Sequence, residues 1–309
     1  MKIKHKKFVS AVAYVHNAES NIENFLKILY KSLNENYEKF EIICVDDCST
    51  DNSRQIIRDF ASTVSNCMIS MINTGFYQGL ESAILAGLDL AIGDFVFEFD
   101  DTAVDYAPDL IMQCYDRCVQ GFDVVSCGNG RSRASSKIFY SIYNHNSSTQ
   151  YELKSETFRV ISRRAINRVY SMSPNPIYRK ALYHNCGLKT DYLEYSAQED
   201  TPIRRRVLKN PHDTAIIGLI LFTNIAYKSA LVLTIIMMLA TLGSIGYVIT
   251  IYVIGNPVEG FTTMMTLLSG AFLGIFAILA VIIKYLSVIL RLVFQRQRYV
   301  MESVEKLTG

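Results

Sequence analysis

Between residues 229 and 254 the chain carries no charged side chain, and the same holds from 261 to 283. A bilayer's hydrocarbon core is crossed by about 20 apolar residues in helical form. Each run is long enough, and the short linker GNPVEG between them predicts a transmembrane hairpin rather than two buried core helices. The flanks set its direction. Arg204, Arg205, Arg206, Lys209 and Lys228 precede the first run, and Arg291, Arg296 and Arg298 follow the second, while the linker holds only Glu259. Positive charge stays on the cytoplasmic side, so both termini are expected there, in a multi-pass protein of the cell membrane. Lys284 lies near the cytoplasmic end of the second run, where its stem reaches the interface. DTAIIGLILFTNIAYK, residues 213–228, is apolar around most of its circumference and starts at a capping residue, Asp213. It is expected to lie along the membrane surface, the alternative being that it extends the first run.

Upstream the pattern changes. Short apolar runs at 7–15, 40–46, 67–72, 94–99 and 122–127 alternate with amphipathic segments at 20–33, 51–62, 77–91 and 107–120, and Gly93 and Gly121 stand as helix stops. This is the pattern of an α/β sheet with helices on its faces, whose ligands collect at the carboxyl ends of the strands. The expected organisation is an α/β domain over 1–210, a surface helix over 211–228, the hairpin over 229–290 and a cytoplasmic tail over 291–309.

The formal net charge is only +2, which argues against a nucleic-acid partner, because a phosphate-tracking surface needs a basic excess. The seven cysteines form no C-x-x-C pair and no zinc spacing, and read as reduced thiols of a cytosolic domain. Cys114 and Cys118 share one helix face as core residues. MKIKHKKFVSAVAYV reads as a first strand rather than a signal peptide, because its apolar run is short and no small-residue cleavage pattern follows.

Four stretches carry polar chemistry at expected strand ends. AYVHNAESNI, 13–22, closes the first strand. EIICVDDCSTDNS, 41–53, runs a strand into Asp46 and Asp47 and then into a turn where Ser49 or Asp51 caps a helix. NTGFYQGLESAILAGLDLAIGDFVFEFDD, 73–101, is a glycine-punctuated loop, a small-residue helix and a strand ending in Asp100 and Asp101. GNGRSRASSKIFYSIYN, 128–144, and SETFRVISRRAI, 155–166, supply arginines and lysine suited to phosphate recognition. The alternative reading is that these basic residues, Arg163 and Arg164 above all, simply attract anionic headgroups near a membrane.

In this order the stretches resemble the nucleotide-sugar-binding half of family 2 glycosyltransferases of the GT-A fold. With the terminal hairpin, the chain is similar to the polyprenyl-phosphate branch, which includes dolichol-phosphate mannose synthases and bacterial undecaprenyl-phosphate glycosyltransferases. The resemblance implies a nucleotide-sugar donor, UDP-linked, a polyprenyl phosphate acceptor (undecaprenyl phosphate in a bacterium), membrane lipids around the hairpin, and inversion at the anomeric carbon. A homo-oligomer fits the apolar surface.

Carried over residue by residue, the resemblance puts Tyr14, His16 and Glu19 around the nucleotide. Tyr14 replaces a usual proline and His16 a usual tyrosine. It makes Asp47 the partner of the base with Asp46 beside it, and sets Asn73 and Gly75 near the ribose and diphosphate. Arg131, Arg133 and Lys137 fall on the phosphate-contacting loop and helix, with Arg131 also in a catalytic role. Arg159 matches an arginine for phosphate binding, although Thr157 replaces the preceding aspartate. The departure is at the metal: Ala103 stands where the family's D-x-D motif has its second aspartate. Asp101 and Asp105 are then the implied catalytic ligands of Mg²⁺ or Mn²⁺, with Asp100 as an adjacent alternative.

Two further readings stay open. Transfer to a glycan hydroxyl needs a base such as Glu199 or Asp200 of the Gln198-Glu199-Asp200 run, which otherwise reads as a solvated charge cluster. A non-catalytic membrane scaffold is the reading that Ala103 keeps alive.

Overall fold

The computed structural model describes residues 4–130, 152–172, 178–197 and 301–308, with single helical positions between 137 and 145 and between 232 and 289. The chain divides into two units, Met1–Ala215 with Arg296–Gly309, and Ile216–Gln295.

The first unit is built on β1 (Val9–Val15), α1 (Ile22–Asn36), β2 (Phe40–Asp46), α2 (Ser53–Thr63), β3 (Met68–Thr74), α3 (Leu80–Leu90), β4 (Phe95–Phe99), α4 (Asp109–Val119) and β5 (Val124–Gly128). This is the alternation expected from the apolar runs. β1 and β2 are buried at nearly every position, as befits parallel strands covered on both faces. On one face, Val9, Ala11, Ile42, Cys44, Met71 and Phe97 pack against the apolar stripes of α1, α2 and α4. α3 covers the other face, where a side chain on Gly87 would run into Val12 and Val45, so the glycine lets helix and sheet approach closely. Gly121 takes φ 107° just past α4, the left-handed conformation of a glycine helix stop. Gly93 acts differently from the expected stop: α3 has already ended, and a Cβ there would meet the Ser10 backbone nitrogen at 2.5 Å.

Beyond β5 the chain adds β6 (Phe158–Ser162), α5 (Arg163–Met172), α6 (Arg179–Asn185), β7 (Thr190–Glu194) and β8 (Met301–Lys306). The strand order among the described residues is β7-β5-β6-β4-β1-β2-β3-β8. β6 inserts antiparallel between β4 and β5, and β8 runs antiparallel along β3. The last residues are therefore not merely a tail: Met301–Lys306 close one edge of the sheet, which corrects the expectation for that part of 291–309. A second correction concerns the thiols. Cys114 of α4 and Cys127 of β5 are joined in a disulfide, with Cα atoms 7.4 Å apart, and Cys44, Cys48, Cys67, Cys118 and Cys186 are free.

In the second unit the described positions are helical, and Val232, Ile236, Met264, Leu268, Ile275, Leu279, Ile282, Leu286 and Ile289 are exposed. Among the described residues no helix is long and apolar enough to cross a membrane. The expected surface helix at 211–228 and most of both apolar runs lie outside the described residues.

Candidate active site

β1, β2, β3 and β4 are parallel and end side by side, so the polar residues that follow them gather along one rim of the sheet. At the end of β2, Asp47 is fully buried. Its Oδ1 accepts from Thr74 Oγ1 (3.1 Å) and the Gln78 amide (2.8 Å), and its Oδ2 from Tyr14 Oη (3.1 Å) and the Gly79 amide (2.8 Å). Asp47 thus anchors the loop 74–79 that precedes α3. Burial, helped by Asp47 and Tyr77, pushes the Tyr14 hydroxyl well above the ordinary phenol range, so Tyr14 serves here as a neutral donor. His16 Nδ1 lies 2.7 Å from the Asp47 carbonyl oxygen, and its ring meets Tyr77 edge-on at 4.8 Å between centroids.

Asp46 is also fully buried. Its Oδ2 accepts from Arg54 Nε (2.6 Å) and the Ser49 amide (3.2 Å), and its Oδ1 has no partner. The next turn puts Cys48 at φ 57° and is cross-tied to the β1 end, where Asn17 takes φ 48°. Asn17 Oδ1 accepts from the Thr50 backbone amide (2.8 Å), and the Asn17 backbone amide donates to Ser49 Oγ (3.0 Å). Asp51, not Ser49, binds the start of α2, accepting the Ser53 amide at 3.0 Å. Burial works against its charge, but bonds from the Ser53 side chain and from the Glu19 and Ser53 backbone outweigh it, holding the Asp51 carboxyl below its usual range. Glu19 itself is exposed and accepts the Asn52 amide at 3.2 Å.

After β4 the chain makes an acidic turn. Asp101 is half-buried and accepts the Ala103 amide at 3.2 Å. Asp105, also half-buried, accepts from Asn129 Nδ2 (2.9 Å) and Tyr195 Oη (2.6 Å). Behind this turn lies a buried ion network that no motif announced. Arg159 of β6 donates to Glu156 (2.9 Å), Asp100 (2.8 Å) and Glu98. Arg179 of α6 reaches Glu81 (2.8 Å), Glu98 (3.0 Å) and Asp100 (3.4 Å), and also donates to the Glu81 carbonyl (2.9 Å). Tyr183 and His184 complete it, on Glu98 (2.9 Å) and Glu156 (3.2 Å). Burial opposes the charge on Glu156, but Arg159, Lys180 and His184 outweigh it and pull its carboxyl well below the usual range. Through Arg179 the network ties the first turn of α3 to the end of β4. It thereby fixes the loop that Asp47 holds relative to the turn that carries Asp101.

The model of glycosyl transferase family 2 matches residues 10–187, and those residues contain every strand end just described. The chain belongs to this family. Among similar proteins, a prophage bactoprenol glucosyl transferase homolog of Escherichia coli is 28% identical over 193 residues, covering 58% of this chain and 61% of that protein. An undecaprenyl-phosphate 4-deoxy-4-formamido-L-arabinose transferase of Proteus mirabilis is 34% identical over 117 residues, covering 38% and 35%. The chain spans about three fifths or less of the length of these curated relatives. Mycobacterium tuberculosis glucosyl-3-phosphoglycerate synthase, solved with Mn²⁺, UDP and phosphoglyceric acid, superposes with a TM-score of 0.51 over 69% of this chain and 77% of that one. At 15% identity that likeness shows the GT-A fold alone.

On this family frame, Tyr14, His16, Asp46, Asp47, Asn73 and Gly75 gather along the ends of β1 to β3, and Asp100, Asp101 and Asp105 at the end of β4. Asn73 is buried and Gly75 exposed. Arg159 departs from its expected phosphate-binding place: it is fully buried, and its guanidinium is taken up by three carboxylates. Lys137 is exposed on a helical segment, while Arg131, Arg133, Glu199 and Asp200 lie outside the described residues. Arg179 was missed, because PNPIYRKALYHN offers no motif and its partners come from α3 and β4.

Proposed function

We propose that this protein transfers a sugar from a nucleotide-sugar, UDP-linked, to a polyprenyl phosphate at the cytoplasmic face of a membrane. The observation that carries the reading is the acidic turn. Asp101 and Asp105 stay half-exposed at the end of β4, whereas the neighbouring carboxylates Asp46, Asp47, Asp100 and Glu98 are buried. At the end of β4 they are the carboxylates that reach the surface. The acceptor class is supported by the names of the Escherichia coli and Proteus mirabilis relatives and by the charge-free runs at 229–254 and 261–283.

The chemistry is a single displacement. A phosphate oxygen of the acceptor forms a bond to the anomeric carbon as the bond to the diphosphate oxygen breaks, with inversion. A phosphate monoester is already ionised near neutral pH, so no strong general base is required. Positioning and neutralisation of the leaving diphosphate supply most of the rate. Asp101 and Asp105 are hard oxygen ligands, and each Asp105 oxygen keeps a lone pair beyond its bond to Asn129 or Tyr195. Among the described residues no group of three side chains would hold a metal unaided. The two carboxylates suit Mg²⁺ or Mn²⁺ and would hold it at the end of β4, where such an ion would supply positive charge to offset that of the departing nucleotide. Arg131, Arg133 and Lys137 are the candidates for the phosphates.

The test is transfer by the full chain in nanodiscs, given undecaprenyl phosphate and a panel of labelled nucleotide sugars. Label extracted with the lipid is expected. Label appearing only as free sugar, or only on an added glycan, would overturn the proposal.

A further inference from the structure

The C-terminal strand reaches into the nucleotide rim. β8 runs antiparallel to β3 and pairs Ser303 with Asn73. Asn73 Nδ2 donates to Ser303 Oγ and to Glu305 Oε1, both at 2.9 Å. A carboxylate only accepts, so Glu305 fixes which end of the carboxamide is the nitrogen and leaves Oδ1 turned away from β8. Glu305 is itself held by Arg58 of α2, through Nε at 2.9 Å and Nη2 at 2.7 Å. Asn73 is paired in register with Asp46 of β2. Asn73 Oδ1 and Asp46 Oδ1 are both buried acceptors without a hydrogen-bond partner. Two such atoms at paired positions on adjacent strand ends call for a donor, and the hydroxyls and amines of a nucleoside are donors.

We propose that Glu305 is a positioning residue for the donor nucleotide. By locking the Asn73 carboxamide it sets up an acceptor pair with Asp46 that a hydrogen-bond-donating group of the nucleoside satisfies, so residues more than two hundred positions downstream help to build the nucleotide half-site. This rests on the nucleotide-sugar reading above. Thr308 provides the control. It fastens the other end of β8, accepting the Ile69 amide (2.7 Å) and donating to the Cys67 carbonyl (2.6 Å), without touching Asn73.

Calorimetry of the full-length protein in detergent with UDP and GDP, alongside thermal unfolding, tests this. Glu305→Gln, whose amide no longer dictates the Asn73 orientation, should weaken nucleotide binding about tenfold, the scale of one charge-assisted hydrogen bond. Asn73→Ala should do the same, and the double variant should be no weaker than Asn73→Ala alone, because both changes act on one interaction. Thr308→Ala should lower the unfolding temperature at least as much as Glu305→Gln yet leave affinity unchanged. Unaltered affinity in Glu305→Gln, additive losses in the double variant, or an equal loss in Thr308→Ala would each overturn the positioning role. Failure of the unaltered protein to bind either nucleotide would instead defeat the nucleotide-sugar reading, and this inference with it.

Discussion

Arg179 is the sharpest place to perturb the site from behind. It is 1% exposed and bridges Glu81, Glu98 and Asp100 while donating to the backbone of α3. The network sets four carboxylates, Glu81, Glu98, Asp100 and Glu156, against two guanidiniums and the His184 ring. Arg179→Leu leaves those carboxylates with Arg159 as their remaining guanidinium. Stripping one partner from a buried ion pair costs about 3–5 kcal/mol, a large share of the roughly 5–15 kcal/mol that holds a domain folded. At an m-value of about 2 kcal/mol/M the urea midpoint should fall by about 1.5–2.5 M. The chain has no tryptophan, so the transition is best followed by circular dichroism at a helical wavelength. Burial already raises the Glu81 carboxyl above its usual range against the pull of Arg179; in the variant that pull is gone, and Glu81 holds its proton to higher pH folded than unfolded. The folded state then gains a proton before the unfolded chain does as pH falls, and the deficit should shrink as pH is lowered toward the ordinary glutamate range. A variant within 1 kcal/mol of wild type, or a deficit indifferent to pH, would refute the reasoning.

Other outcomes follow from single contacts. Gly87→Ala, which would push a methyl into Val12 and Val45, should cost about 1–3 kcal/mol in urea titrations. Cys48→Gly should stabilise by about 0.5–1 kcal/mol, because Cys48 sits at φ 57°, where a side chain is unfavourable. Glu305, through Arg58, and Asp51 and Asp123, the last bonded by Ser162 Oγ and the Arg164 guanidinium, titrate below their usual ranges because hydrogen bonds outweigh burial. The stability they supply is complete above about pH 5 and is lost as pH falls through their lower folded values, so the unfolding temperature should drop as pH is taken below about 4.

The first half of the fold was legible because fully buried parallel strands read as short, mostly apolar runs, as in IICV and FVFEF. β7 and β8 were not, because they lie at sheet edges. TDYLE and MESVEK leave most side chains half-buried or exposed, so each reads as solvated chain. In the site, Asp46, Asp47 and Asp101 were legible as acidic strand ends. Their division of labour was not, since nothing in VDD tells that Thr74, Gln78, Gly79 and Tyr14 would consume Asp47. Arg159 misled for the same reason: an arginine beside a phosphate and one buried among carboxylates from β4 look alike until the strands are paired.

The account stands on the acidic turn after β4 being where the donor nucleotide sits. Calorimetry of the full-length protein with UDP, with and without Mn²⁺, tests this directly when wild type is set beside Asp101→Ala. Binding that Mn²⁺ strengthens and that Asp101→Ala loses is the predicted result. Binding that is indifferent both to the metal and to Asp101 would contradict it.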